Sequence, residues 1–142
     1  MYMVECEGQT TTFDYVSDAI RYAEIELSEK SCKVFTYHSN GVLSYEWYYV
    51  NGERHRDDGP ACIAWSESGN KILEDYYYHG MIHREDGPTC TSYYEDGRVS
   101  VEEYWQNDNF HRENGPAIIH YDNSGKITYE RYYVNGKLID PV

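Results

Sequence analysis

The sequence predicts a mainly β protein of the α+β class, an antiparallel β-meander of 28-residue repeats behind an N-terminal ββα segment. The repeat is visible in His55-Arg56-Asp57-Asp58-Gly59-Pro60, which returns as residues 83–88 and, slightly changed, as residues 111–116. The first residues of these segments are 28 positions apart each time. The 142 residues include 17 tyrosines, and rings that carry a hydroxyl suit a thin sheet with partly covered faces.

Residues 1–33 are predicted to form an N-terminal cap with one helix. Residues 1–6 and 10–13 have the β-favouring side chains of two strands joined by a turn. A helix is expected over residues 16–28, because its apolar residues recur at spacings of four, three and four. The apolar stripe is Val16, Ile20, Ala23 and Leu27, and the expected N-cap is Asp14 or Ser17. We expect this helix to close one face or end of the sheet, with a partner-docking helix as the alternative.

Residues 34–142 are predicted to form the repeat array, continuous with the cap as one domain. Each unit has two extended segments, and a tight turn follows its aromatic pair, at Asn51-Gly52, His79-Gly80, Asn107-Asp108 and Asn135-Gly136. The pattern predicts about seven repeat strands with short links. A glutamate recurs at residues 46, 74, 102 and 130. We expect these glutamates to lie beside one another with the repeated arginines between them.

The charge and apolar patterns exclude several classes of function. The formal net charge is −13 without a basic patch, which argues against direct binding of nucleic acid. The acidity suits a basic partner protein, and the alternative is that it only keeps a small protein soluble. The chain has no apolar run of membrane-spanning length, and residues 1–5 lack the features of a signal peptide. The four cysteines form no Cys-x-x-Cys pair, so we expect reduced thiols and a cytoplasmic location.

The repeated unit resembles a family of repeats in viral and phage proteins of unknown role, related in pattern to the MORN-variant repeats of bacterial antitoxin-like proteins. The matching residues begin with Tyr49-Val50-Asn51-Gly52 and run to Ala61, with counterparts one and two periods on. The resemblance covers residues 34–140 and departs at Thr89, Asp108 and Asn114. It implies a MORN-like interaction scaffold without catalytic residues. A phage origin would imply a host-directed inhibitor of a toxin or defence system, acting in the host cytoplasm.

We therefore expect a non-enzymatic protein that binds and blocks a protein partner of basic or toxin-like character. Aromatic and arginine side chains supply most binding energy at such interfaces. The candidate binding residues are Tyr48, Tyr76, Tyr104, Trp105, Tyr132, Arg56, Arg84, Arg112, His55, His83 and His111. For each ring, a place in the core is the alternative. The alternative function is sequestration of a nucleotide signal by the arginines and aromatic rings, and free sheet edges would also allow a homodimer.

No enzyme, cofactor or metal is expected. The sequence has no phosphate-binding glycine loop, no Ser-His-Asp order and no metal-ligand spacing. Equivalent histidines in successive units lie two strands apart, about 10 Å, while ligands of one zinc ion lie only ~2 Å from it. We therefore expect His55, His83 and His111 to shape the connection between strands and not to share a metal.

Overall fold

An antiparallel sheet and one short helix make up the molecule in the computed structural model, which describes residues 1–139. The last three residues of the predicted array, 140–142, lie outside the described part. The longer strands are β1 Tyr2–Cys6, β2 Gln9–Phe13, β3 Ser31–Tyr37, β4 Leu43–Val50, β6 Cys62–Trp65, β7 Lys71–Asp75, β10 Cys90–Tyr93, β11 Val99–Glu103, β14 Ile118–Tyr121 and β15 Ile127–Val134. The short ones are β5 Glu53–Arg54, β8 Tyr77–Tyr78, β9 Met81–Ile82, β12 Trp105–Gln106, β13 Asn109–Phe110 and β16 Lys137–Ile139.

The main sheet follows chain order over most of its width. Its order is β2-β1-β3-β4-β6-β7-β10-β11-β14-β15-β16, and β5 pairs with the end of β4. Two short hairpins, β8-β9 and β12-β13, complete the two middle units. Neighbours in sequence are therefore neighbours in space, as expected of a meander with tight turns. The prediction of seven repeat strands was too low, since eight long strands lie between Ser31 and Val134 and each unit adds a short return strand.

The predicted helix is present, although its second half has a different form. Helix α1 covers Val16–Arg21 and continues as a π-helical turn over Tyr22–Glu26. Its N-cap is Tyr15, without a side-chain hydrogen bond, so the predicted cap by Asp14 or Ser17 was wrong. None of the helical segments in residues 1–139 has the length and apolarity needed to cross a bilayer.

The helix packs on one face of the sheet beside β1 and β3, and a cluster of buried apolar residues lies there. The buried members of this core are Val4, Ala19, Ala23, Cys32, Val34 and Tyr49. Strand β3 spans the boundary predicted between residues 33 and 34. The N-terminal segment and the first repeat strands therefore share a strand as well as a core.

The long second strand of the middle units is interrupted at a tyrosine. The N–H of Tyr76 donates to the carbonyl of Thr89 on one side, and its carbonyl accepts from the N–H of His83 on the other. Tyr104 makes the equivalent bonds with Ala117 and His111. The second extended segment of this unit is split into β7 and β8 because both long neighbours of β7 stop pairing with it at Asp75. The equivalent Tyr48 makes the same two bonds, but β4 stays continuous there because β3 pairs along its whole length.

The tight turns were predicted correctly. Asn51, His79, Asn107 and Asn135 have φ between 45° and 50°, the left-handed backbone that these turns require. In contrast, the expected contact of glutamate with glutamate was wrong. The register pairs Glu46 with Ile63, Ile63 with Glu74, and Glu74 with Thr91. The antiparallel order thus places an uncharged residue between successive glutamates.

Candidate functional site

The repeated His-Arg-x-Asp/Asn-Gly-Pro segments form three connections between strand ends, which we call the motif loops. They comprise residues 55–60, 83–88 and 111–116. Each follows a short return strand (β5, β9 or β13) and leads into a long strand (β6, β10 or β14). Two long strands separate successive loops, which spaces the loops about 10 Å apart.

The arginine of each motif loop is held inside its own loop. The guanidinium carbon lies 4.1 Å from the ring centroid of Tyr48 for Arg56, 4.0 Å from Tyr76 for Arg84 and 3.8 Å from Tyr104 for Arg112. The Nη1 atom of each arginine donates to the carbonyl of the proline in its loop, at 3.1 to 3.3 Å. The stacked ring and the hydrogen bond together fix the side chain.

The acid and glycine of the motif complete this arrangement. Nε of Arg56 donates to Asp58, and Nε of Arg84 donates to Asp86, both at 2.9 Å. The Arg84 guanidinium thereby holds the pKa of Asp86 below its usual value. A Cβ at Gly87 would lie 3.0 Å from Cζ of Arg84, so a larger residue would displace the guanidinium. The arginine, the acid and the glycine of the motif thus recur because the arginine packs between a tyrosine ring, a carboxylate and the space that the glycine leaves open.

The arginines therefore do not bridge the glutamates, contrary to the expectation. The carboxylates of Glu46, Glu74 and Glu102 each accept from a tyrosine hydroxyl, and the first two also accept from a lysine. The Tyr93 hydroxyl donates to Glu74 at 2.6 Å, and the Tyr121 hydroxyl donates to Glu102 at 2.9 Å. Burial, followed by the hydrogen bond to Glu102, raises the pKa of Tyr121 to about 12.

Each motif histidine is bound to the turn of the next unit. Nδ1 of His55 accepts from the backbone N–H of His79 at 3.0 Å, while Nδ1 of His83 and His111 accept from Asn107 and Asn135 at 3.2 and 3.1 Å. Nδ1 is therefore the unprotonated nitrogen in these bonds, and Nε2 carries the proton. In His55 this Nε2 lies 2.8 Å from Asp57. Each of the three histidines therefore bonds to the turn of a different unit.

The remaining aromatic candidates are placed differently from one another. Trp105 packs on Phe110 with ring centroids 3.7 Å apart, and its indole N–H donates to Glu103 at 3.0 Å. Tyr132 is half-buried in β15. The residue that is equivalent to the motif arginine in this last unit is Asp140, which lies outside the described part. Tyr48, Tyr76 and Tyr104 lie beneath the arginines. The aromatic candidates therefore do not form one exposed surface.

Clefts open between the motif loops. One, of about 660 Å³, lies between the first and second loops and is lined by Asp57, Asp58, Tyr76, Tyr78, Glu85 and Asp86 among others. Another, of about 340 Å³, lies between the second and third loops and is lined by Arg84 and Arg112 as well as by Glu85, Tyr104 and Glu113. A third, of about 690 Å³, separates the first loop from β3 and the β1-β2 turn. Tyrosine rings contribute to the walls of all three.

Exposed carboxylates border these clefts, and sequence reasoning did not single them out. The position after the motif arginine is acidic in every loop, as Asp57, Glu85 and Glu113, with side chains 88 %, 84 % and 77 % exposed. Asp58 and Asp86 add a second exposed carboxylate to the first two loops. The sequence does contain a signal for this position, because the residue after the motif arginine is acidic in all three copies.

Comparison with known protein families, with characterised proteins and with solved structures gives no match. Within residues 1–139, no three His, Cys, Asp or Glu side chains are grouped so that they could hold a metal ion.

Proposed function

We propose that this chain is a non-enzymatic interaction protein that binds a basic segment of another protein along the motif loops and blocks that protein. The supporting observation is the row of clefts that have exposed carboxylates on their rims and tyrosine rings in their walls. A lysine or arginine side chain in such a cleft would gain ion pairs with these carboxylates. The rings of Tyr76 and Tyr104 already carry the chain's own arginines, so a cation–π contact would fall to the half-exposed Tyr78 ring between the first two loops. The net charge of −13 would also attract a basic partner from a distance.

The spacing of the loops specifies the form of the partner. Successive loops are about 10 Å apart. A peptide in the polyproline II conformation advances about 9 Å in three residues and completes one turn, so every third side chain points to the same face. The partner segment should therefore carry a basic residue at every third position. Exposed ion pairs each contribute at most about 1 kcal/mol, so useful affinity requires several clefts to be filled by one chain.

In this proposal the chain is a MORN-like repeat array closed at its N-terminus by the ββα cap. The resemblance to viral and phage repeats favours a toxin or defence protein of a host cell as the blocked partner, met in the host cytoplasm. Sequestration of a nucleotide signal is the less favoured alternative. Two nitrogens of Arg56 and of Arg84 already donate within their own loops, and the exposed carboxylates would repel phosphate groups.

The test is binding of a labelled proline-rich peptide that adopts polyproline II and has lysine at every third position, measured by fluorescence anisotropy at low and physiological salt. We expect salt-sensitive binding that weakens about tenfold in the triple variant Asp57→Asn/Glu85→Gln/Glu113→Gln, the loss of three exposed ion pairs. The matched control, Asp18→Asn/Glu26→Gln/Glu29→Gln, removes the same charge from exposed positions on the helix and just after it and should retain the affinity.

A peptide of equal composition with its lysines in one block tests the spacing and should bind more weakly. Equal loss of binding in both triple variants would reduce the effect to net charge and contradict the proposed site. Binding of nucleotides, with no binding of the spaced peptide, would favour the alternative function. When the spaced peptide binds, the immobilised wild-type chain and the loop variant should be compared for capture of basic proteins from host lysate, and the captured protein assayed for inhibition.

A further inference from the structure

Two cysteines lie opposite each other in the N-terminal part of the sheet. Cys6 is the last residue of β1, Cys32 is the second residue of β3, and the register of this antiparallel pair places them directly across from one another. Opposite residues in antiparallel strands point to the same face. Both thiols are free.

The hydrogen-bonding pattern shows which kind of pair they form. Glu7 and Gly8 have φ of 51° and 78° and form a two-residue hairpin turn, so the flanking Cys6 and Gln9 exchange their backbone bonds. The N–H and C=O of Cys6 therefore point toward β2 and away from β3. In a pair of this non-hydrogen-bonded kind the Cα atoms are about 4.5 Å apart, within the range of disulfides.

A bond on the opposite side of β3 supports this assignment. The N–H of Asn51 donates to the carbonyl of Lys30 at 3.1 Å, so the backbone of Lys30 faces the strand β4. Residues two apart in a strand point their backbone groups the same way. Cys32 therefore also bonds toward β4, which leaves the Cys6 side without backbone hydrogen bonds at this pair.

The surroundings assign different roles to the two sulfurs. Cys6 is partly exposed and lines a small cleft of about 120 Å³ together with Gln9, Tyr22 and Lys30. The pKa of Lys30 is raised, chiefly by its hydrogen bond to Glu7 and in smaller part by Cys6, which places a positive charge near that thiol. Cys32 is 7 % exposed, and burial raises its pKa to about 11. Cys6 is thus the accessible sulfur.

We propose that Cys6 and Cys32 are a thiol–disulfide modification site, oxidised to an intramolecular disulfide by a low-molecular-weight disulfide such as oxidised glutathione. The Cys6 thiolate attacks one sulfur of that disulfide, and one glutathione thiolate leaves. The Cys32 thiol gives its proton to solvent, its sulfur attacks Cys6, and the second glutathione thiolate leaves. Two protein thiols are oxidised, and one small disulfide is reduced to two thiols.

The chain contains its own comparison pair. Cys62 and Cys90 lie on one face of the sheet, but the register places Asp75 between them. They are therefore two strand spacings apart, about 10 Å, which exceeds the reach of a disulfide. Selective oxidation at Cys6 and Cys32 is the consequence.

The test incubates the full chain in buffers with different ratios of oxidised to reduced glutathione, followed by intact mass measurement and peptide mapping. We expect the loss of two hydrogen atoms and a crosslinked peptide that contains Cys6 and Cys32. The disulfide closes a loop that includes the helix, so the oxidised chain should melt roughly 10 °C higher than the reduced chain. A reducing agent should reverse both effects.

Cys6→Ser should abolish the crosslink, whereas Cys62→Ala/Cys90→Ala should retain it. Cys32→Ser should abolish the crosslink as well. Because Cys32 is buried, this variant could fail to fold, and the test would then rely on Cys6→Ser, which changes a partly exposed residue. A persistent mixed disulfide at Cys6, a crosslink between two chains, or four unreacted thiols in excess oxidised glutathione would each overturn the proposal.

Discussion

Equivalent residues are buried to different extents at the two ends of the repeat array. Tyr49, beside the helix, is 1 % exposed, while Tyr133, its equivalent three units later, is only half-buried. His55 is buried, whereas His83 and His111 are partly exposed. The repeated sequence therefore determines the strands, the turns and the loops, but the neighbouring element determines how deeply each copy is buried. Stability should consequently be concentrated near the helix.

The largest expected effect is the contrast between Tyr49→Ala and Tyr133→Ala. Tyr49 is enclosed by the helix and the sheet, and its hydroxyl accepts from Nε of Arg54 at 3.3 Å. Its truncation should cost about 4 kcal/mol of unfolding free energy, while truncation of the half-buried Tyr133 should cost about 1–2 kcal/mol. Urea unfolding monitored by circular dichroism measures both values. Equal losses would show that the helix adds no stability to its end of the array.

A smaller contrast is expected at two equivalent turn glycines. Gly52 and Gly80 have φ of 75° and 79°, so alanine is strained at either position. A Cβ at Gly52 would also lie 2.5 Å from the carbonyl oxygen of Glu24, on the helix, whereas at Gly80 the nearest atom is Cβ of Glu53, at 3.8 Å. We expect Gly80→Ala to cost about 1 kcal/mol and Gly52→Ala about 3 kcal/mol. Thermal unfolding of the two variants tests this difference, and similar melting temperatures would argue against close packing of the helix on the first turn.

The smallest effect is a pH dependence in the later units. The pKa of Tyr121 is raised to about 12 by burial and by the hydrogen bond to Glu102, against about 10 in an unfolded chain. Because the folded state favours the protonated phenol, this contribution is complete below pH 10 and is lost as the pH rises through 12. Tyr121→Phe should therefore reduce the fall in unfolding free energy between pH 10 and pH 12.

Tyr37 provides the control for this measurement. It occupies the equivalent position in the first unit and is exposed. Tyr37→Phe should leave the alkaline slope close to that of the wild-type chain. Identical slopes for the two variants would mean that the Tyr121–Glu102 hydrogen bond has no influence on stability.

The features that the sequence predicted correctly are those specified by adjacent residues. The turns at Asn51-Gly52 and Asn135-Gly136 follow from a local preference for left-handed backbone, and the position of the helix follows from the spacing of its apolar residues. The break of the strand at Tyr76 was missed, since it depends on where the neighbouring strands β6 and β10 stop pairing with β7, at Asp75.

The contacts inside the motif loops follow from the sequence less directly than the fold does, for a similar reason. The arginines and tyrosines of the motif were identified as binding candidates, yet each arginine lies on a tyrosine eight residues before it, as Arg84 does on Tyr76. That contact depends on how the return strand directs the chain. Exposure of Asp57 and Glu85 depends on the stacking of separate units, which the periodicity of one unit does not describe.

The bond from each motif histidine to the following turn gives the array a direction. His55 accepts a hydrogen bond from the backbone N–H of His79, and His83 accepts one from Asn107. Each motif histidine therefore obtains its hydrogen-bond donor from the unit that follows. Gain or loss of one whole 28-residue module would leave this relation intact at every junction. Gene duplication or deletion can therefore change the length of the array without requiring a new type of contact. The number of clefts available to a partner would change with it.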